Sequence, residues 1–211
     1  MNSSSSSSKS FRFKKAKLGI FESANANLVL ADFKKGCRIM GLTRGNFSLI
    51  DLIHAILKKT GRAEVVCVTW SAGIKDVHNA KWLVDSSLIK TFTLITDHSY
   101  KTRQAKYAAS IEEIFGVENI RTSEIHAKFA LIKNNDFSVC IRTSMNLNSN
   151  KTCESFEIDE DSDIYNFYHD FVDFVNNNQK EGFVSSSATV NKTLDLFFKS
   201  KTKAIAGWSE L

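Results

Sequence analysis

His126, Lys128, Ser144 and Asn146 are the residues of this chain whose types and spacing best suit chemistry. An imidazole can attack or transfer a proton, an ammonium can neutralise an anion, and a hydroxyl and an amide can donate to oxygen. Set around one point, they make a cradle for a phosphate. The stretch 121–158 supplies the means of bringing them together. His126 and Lys128 are two apart on a first apolar strand, so they share one face while Ala127 and Phe129 point to the other. Lys133-Asn134-Asn135-Asp136 reads as a turn. A second strand, Phe137 to Arg142, then delivers Thr143-Ser144-Met145-Asn146 back towards His126.

Two glutamates follow. Glu154 and Glu157 are three apart, so on a strand they face opposite ways. Glu157 is the preferred site residue, because Phe156 and Ile158 then point inward together, and Glu154 is the alternative. The acidic run from Glu154 to Asp163 is contiguous and lacks the glycine and spacing of a calcium loop, so no metal is expected there. Part of it suits a helix N-terminus, where the dipole favours negative charge.

The order H-x-K, hairpin, S-x-N and glutamate resembles the phospholipase D superfamily, whose signature is H-x-K followed across a hairpin by G-S-x-N and a glutamate. The matching residues are His126, Lys128, Ser144 and Asn146, with Glu157 or Glu154. Thr143 stands in place of the glycine. Lys133 stands where the aspartate of the signature falls, and Asp136 lies three residues further on. The resemblance implies a histidine nucleophile, a phosphohistidine intermediate, and a second histidine that protonates the leaving oxygen and then activates water. One H-x-K motif per chain implies that two copies, related by a two-fold axis, build a complete site. It further implies that Lys128 neutralises the phosphate, Ser144 and Asn146 donate to it, and a glutamate orients His126. No metal and no cofactor are needed. A nuclease acting on DNA or RNA is the reading that results. The alternatives are a phospholipase or phosphatidyl transferase, and a nucleic-acid-binding module that keeps the fold without turnover.

The elements around this stretch alternate. Helical stripes are expected over Phe47–Lys59, Ile74–Leu88 with Trp82 and Leu83 inward, and Lys101–Phe115 with Ala105, Ala108, Ile111 and Ile114 inward. β-Branched runs are expected as strands over Asn27–Asp32, Cys37–Met40, Glu64–Trp70 and Lys90–Asp97. Such alternation gives an α/β fold: a mixed, largely parallel sheet flanked by helices on both faces. Ligands of such sheets sit at strand ends, where Trp70-Ser71 and Asp97-His98-Ser99 fall as candidates to line a substrate groove near His126; Trp70, Ser71, Thr143 and Glu154 are the expected substrate-binding residues. His98, after Asp97, reads as an exposed loop histidine. The loop Gly41–Asn46 has too few glycines for a phosphate cradle of its own. Ser162–Asn176 is amphipathic, with Ile164, Phe167, Tyr168, Phe171, Val172 and Val175 in one stripe, and Thr189–Lys203 reads as a terminal helix.

The domain plan is an arm over 1–19, one domain over 20–180, and a linker with a helix over 181–211. The arm is rich in serine, and Lys9, Arg12, Lys14, Lys15 and Lys17 precede the first acid, Glu22. The formal net charge is +5, so the remaining 23 basic and 23 acidic residues balance. A basic arm suits phosphate binding by counterion release. No apolar run is long enough for a membrane span, and no apolar stretch marks a secretory signal. The four cysteines form no C-x-x-C pair, which fits reduced thiols and a cytoplasmic setting.

Overall fold

Apolar runs of period two alternate with helical stripes, and they produce eight strands and six helices in the computed structural model, which describes residues 15–23, 25–148, 151–184 and 187–205. Strands β1 (Lys17–Phe21), β2 (Arg38–Thr43), β3 (Ala63–Thr69), β4 (Ile89–Asp97), β5 (Ile120–Ser123), β6 (Phe129–Lys133), β7 (Ser138–Thr143) and β8 (Glu154–Glu160) form one sheet. Its order is β1-β2-β8-β7-β6-β3-β4-β5. The β1–β2, β3–β4 and β4–β5 pairs are parallel. The β2–β8, β8–β7, β7–β6 and β6–β3 pairs are antiparallel. The sheet is therefore mixed but not largely parallel. A short turn can join only antiparallel neighbours, and the hairpin together with β8 fills the middle between two parallel wings.

Helices α1 (Leu49–Thr60), α2 (Ile74–Asp85), α3 (Tyr100–Arg103) and α4 (Ala105–Phe115) precede the hairpin; α5 (Ser162–Asn178) and α6 (Ser187–Ile205) follow it. Alternation along β6 assigns the two faces. Ala130 and Ile132 join the core that contains Ile53, Leu57, Val77 and Ile111 of α1, α2 and α4. Phe129 and Leu131 join the core that contains Tyr165, Val172 and Val175 of α5. Helices thus cover both faces, as period two requires of a strand that is apolar throughout. The α5 layer stops short of β1, where Leu18 and Ile20 remain 74% and 79% exposed.

Several local expectations are corrected. Asn27–Asp32 is no strand: Asn25 caps a short 3-10 turn, Ala26–Leu28, and Val29 and Leu30 are buried without pairing to the sheet. The helix expected over Lys101–Phe115 is broken at Gln104, because Tyr100 is fully buried and its hydroxyl is tied to the Ala72 carbonyl at 2.7 Å. Trp82 is 55% exposed, where it meets the His54 ring edge-on. Ala105 is exposed as well. On α5, Phe167 faces solvent and Tyr165 takes the inward place. Gly41 and Thr43 belong to β2 rather than to a loop. A Cβ at Gly41 would lie 2.6 Å from the Phe156 ring, so that glycine makes room for the Phe21–Phe156 contact. β1 begins inside the segment expected as arm, and residues 1–14 lie outside the described residues.

Candidate active site

The ends of β3, β4, β5 and β7 and the starts of β6 and β8 lie along one rim of the sheet. The H-x-K residues stand there, just ahead of β6 rather than on it. The last β3–β6 pair is Val68 with Phe129, and beyond it the Thr69 hydroxyl turns to the Ser71 carbonyl at 2.8 Å. The segment 125–128 loses that neighbour and falls outside the strands. It keeps its other neighbour, since the Thr143 amide donates to the Lys128 carbonyl at 3.0 Å. His126 and Lys128 still share a face: Nζ of Lys128 lies 3.3 Å from Nδ1 and 3.5 Å from Nε2 of His126. The ring of Trp70 lies 5.8 Å from that of His126, centroid to centroid. Burial holds the Lys128 ammonium below the usual lysine pKa, and the carboxylate of Glu154 works against that shift.

The end of β7 brings in the S-x-N residues. The Thr143 hydroxyl donates to the Ser155 carbonyl at 2.7 Å and accepts from the Met145 amide at 3.0 Å. Thr143 is thus part of the turn that aims Ser144, and its hydroxyl is used in the protein itself. That is a physical account of a threonine in place of glycine. Ser144 Oγ donates to Oε2 of Glu154 and accepts from the Ser155 amide at 2.9 Å. Asn146 lies beside Thr69, Oδ1 to Oγ1 at 3.4 Å. Its neighbour Leu147 is stitched to the end of β3: its amide donates to the Ser71 carbonyl at 3.1 Å, and its carbonyl accepts from Gly73 at 2.7 Å. Ser71 therefore contributes its backbone to the architecture of the rim.

The two glutamates are separated by the strand, as odd spacing requires. Glu154 opens β8 at the rim, hydrogen-bonded to Ser144 and to the Thr152 hydroxyl at 2.9 Å. Glu157 is 2.5 Å from Nη2 of Arg142 on the next strand. The structure brings Glu154, and not Glu157, to the Ser144 and Lys128 group. Asp136 is at the hairpin turn, where its amide donates to Asn134 Oδ1 at 3.0 Å. That is the opposite end of β6 from His126.

Behind His126 stand the strand-end residues Asp97, His98 and Ser99, joined by Arg103, which the sequence did not single out. Asp97 is 7% exposed, and its Oδ1 accepts from the amide and the hydroxyl of Ser99. Its Oδ2 accepts from the Ile125 amide at 3.3 Å. His98, expected in solvent, is 23% exposed, with Nδ1 3.7 Å from Asp97. Arg103 lies over the Trp70 ring, Cζ 3.8 Å from the centroid. The Asp-x-Ser at the end of β4 suits this geometry, since aspartate commonly accepts from an amide two residues on. Among the described residues, no group of three or more His, Cys, Asp or Glu is set to hold a metal ion, and no helix is long and apolar enough to cross a membrane. The four cysteines are free; Cys67 and Cys140 are buried, and burial pushes both thiols up to about 12.

No protein-family model and no curated protein matches the chain. Solved structures do. NucT from Helicobacter pylori is 11% identical, with a TM-score of 0.50 over 69% of this chain and 99% of that one. Nuc from Salmonella typhimurium, described as a phospholipase D family member, is also 11% identical, with a TM-score of 0.42 over 58% of this chain and 82% of that one. Likeness at such low identity speaks to architecture alone: this chain is similar in fold to NucT.

Proposed function

We propose that the chain is a metal-independent phosphodiesterase, an endonuclease on DNA or RNA that works through a phosphohistidine in a paired, homodimeric site. The observation that carries this reading is the contact of His126 with Lys128 at a rim that also gathers Ser144, Asn146 and Glu154. A nitrogen of His126 attacks phosphorus; the N–P bond forms as the bond to the leaving oxygen breaks. His126 of the second copy gives its proton to that oxygen. It then takes a proton from water, whose oxygen attacks phosphorus and breaks the N–P bond, regenerating the nucleophile. Lys128 and Asn146 stabilise the charge on the phosphoryl oxygens. Glu154 takes the place that the sequence reading gave to Glu157, acting here on Ser144 and Lys128.

One observation favours a second reading, a nucleic-acid-binding module without turnover: the Ser144 hydroxyl donates to Glu154 and so is not free for a phosphate. Turnover separates the two. The purified chain is given plasmid, single-stranded DNA and bis(p-nitrophenyl) phosphate with excess EDTA. Cleavage in EDTA, with an acid-labile phosphoryl label on the wild type and none on His126→Asn, is the expected result. Light scattering should give about twice the 23.7 kDa chain mass. Binding without cleavage of any of the three substrates leaves the module reading. A strict need for magnesium overturns the proposed mechanism.

A further inference from the structure

A histidine that attacks in line must have its ring held, and a carboxylate or carbonyl on the far ring nitrogen is the usual means. Among the described residues, His126 is given no such acceptor. Its ring contacts are the Lys128 ammonium and the Trp70 indole. An ammonium on a flexible stem is a poor clamp. The indole is a rigid wall only if it is itself fixed.

Arg103 fixes it. The guanidinium stacks on Trp70 at 3.8 Å, and Nη2 donates to the Trp70 carbonyl at 3.1 Å, so one residue grips both the ring and its backbone. Nε of Arg103 donates to the Ser99 hydroxyl at 2.9 Å. That hydroxyl donates in turn to buried Asp97, whose other oxygen holds the Ile125 amide, next to His126. Two arms from one carboxylate thus converge on His126. One reaches its backbone through Ile125, and the other its ring through Ser99, Arg103 and Trp70.

We propose that Arg103 is a positioning residue for His126, acting through the Trp70 indole and anchored by Asp97. The inference rests on the reading of His126 as the nucleophile. A planar fork is needed to stack and donate at once, which lysine cannot do. Arg103 therefore acts by shape rather than by charge, and Arg103→Lys should fail as Arg103→Met does.

Two readouts test it. The first needs no substrate: the ring-proton chemical shifts of His126 report the Trp70 ring current. Trp70→Ala should remove that contribution, and Arg103→Met and Arg103→Lys should each move the shifts more than half-way to the Trp70→Ala values. Trp70→Phe, which keeps a ring, should fall between. The second is turnover of bis(p-nitrophenyl) phosphate. Both Arg103 variants should lower kcat about tenfold or more with KM within about twofold, since small misplacements of a reacting group are costly. A phosphate contact would give the opposite pattern: Arg103→Lys near wild type, KM raised in Arg103→Met, and His126 shifts unmoved. That pattern overturns the proposal, as does any Arg103→Met protein with wild-type shifts. A wild type without turnover would sink the nucleophile reading instead, and the ring shifts would then decide the positioning alone.

Discussion

Strand β8 carries two polar clusters, and they differ in what they leave unspent. Along its middle, Asp159 is fully buried and lies 2.5 Å from both Nε of Arg38 and Nη2 of Arg142, and the same Nη2 meets Glu157 at 2.5 Å. Two cations answer two anions. Burial works against the Arg142 charge, yet Glu157 and Asp159 outweigh it and raise the pKa of that guanidinium. At the rim, Glu154 is the carboxylate set against Lys128, and it divides its oxygens between the hydroxyls of Ser144 and Thr152. The middle cluster has matched its charges internally and is a fastening between strands. Among the described residues, the rim cluster sets the Lys128 ammonium and the His126 imidazole beside a carboxylate whose two oxygens already accept from hydroxyls, an arrangement suited to an external anion.

The sharpest break of that comparison is at His126. His126→Ala should lower turnover by about ten-thousand-fold or more, as loss of a nucleophile does, with the unfolding midpoint unchanged because the side chain is exposed. Steady-state rates and a denaturant titration check the two halves. If His126→Ala cleaves at the wild-type rate, the rim is no active site and the two clusters are alike.

Lys128→Ala should cost about a hundred- to a thousand-fold in kcat, the scale of losing one electrostatic stabiliser. The pH profile gives a finer test. The ammonium is the active form, and burial has lowered its pKa below 10.5. Activity is therefore lost as pH rises through a value lower than that of a solvent lysine. Lys128→Arg should move this basic limb upward, since guanidinium stays charged throughout. A limb that does not move assigns it to another group.

In the middle cluster the effect should fall on stability. Asp159→Ala leaves Arg38 without that partner and takes from Arg142 one of its two carboxylates. Breaking a buried pair from one side costs about 3 kcal/mol, read as a lower denaturant midpoint, while kcat per folded molecule is retained. The two glutamates give the direct contrast. Glu154→Gln should lower kcat about tenfold, the scale of a supporting contact, and Glu157→Gln should leave it within about twofold. Equal losses would erase the distinction drawn between the clusters.

The layers and the hairpin were legible in the sequence because their signals are local. Leu49 to Leu57 keep a helical stripe, Glu64 to Thr69 a β-branched run, and Lys133 to Asp136 the turn chemistry. The sequence also singled out His126, Lys128, Ser144 and Asn146. Strand direction was not local: whether the central pairs run parallel depends on β8 inserting between β7 and β2, a pairing of residues more than a hundred apart. Which of Glu154 and Glu157 stands at the rim was not legible for a related reason. Period two says that they oppose each other, but which face meets the rim depends on where β7 ends. Trp82 and Phe167 looked like core because apolar residues at helical spacing do not reveal which flank of the stripe meets a neighbour. Arg103 carried no signal, since its role exists only when α3 stands over the end of β3.

The smallest effect expected concerns the basic residues near the start of the chain, and it extends the contrast between spent and unspent charge. Lys17 is spent: it lies in β1 and meets Asp32 at 2.6 Å. Lys9, Arg12 and Lys14 precede the described residues. If they act as a phosphate-binding arm, removing residues 1–14 should weaken nucleic-acid binding, and most at low salt. Each phosphate contact contributes about 0.9 to the slope of log affinity against log salt, so up to three lost contacts should make it shallower by at most about 2.7. Saturating substrate hides a loss of affinity, so kcat should change little. Lys17→Ala should leave the slope unaltered, because a lysine already paired releases few counterions on binding. A steep slope surviving the deletion would place the phosphate contacts on the folded body, and a slope that falls with Lys17→Ala would show that its pairing with Asp32 yields to nucleic acid.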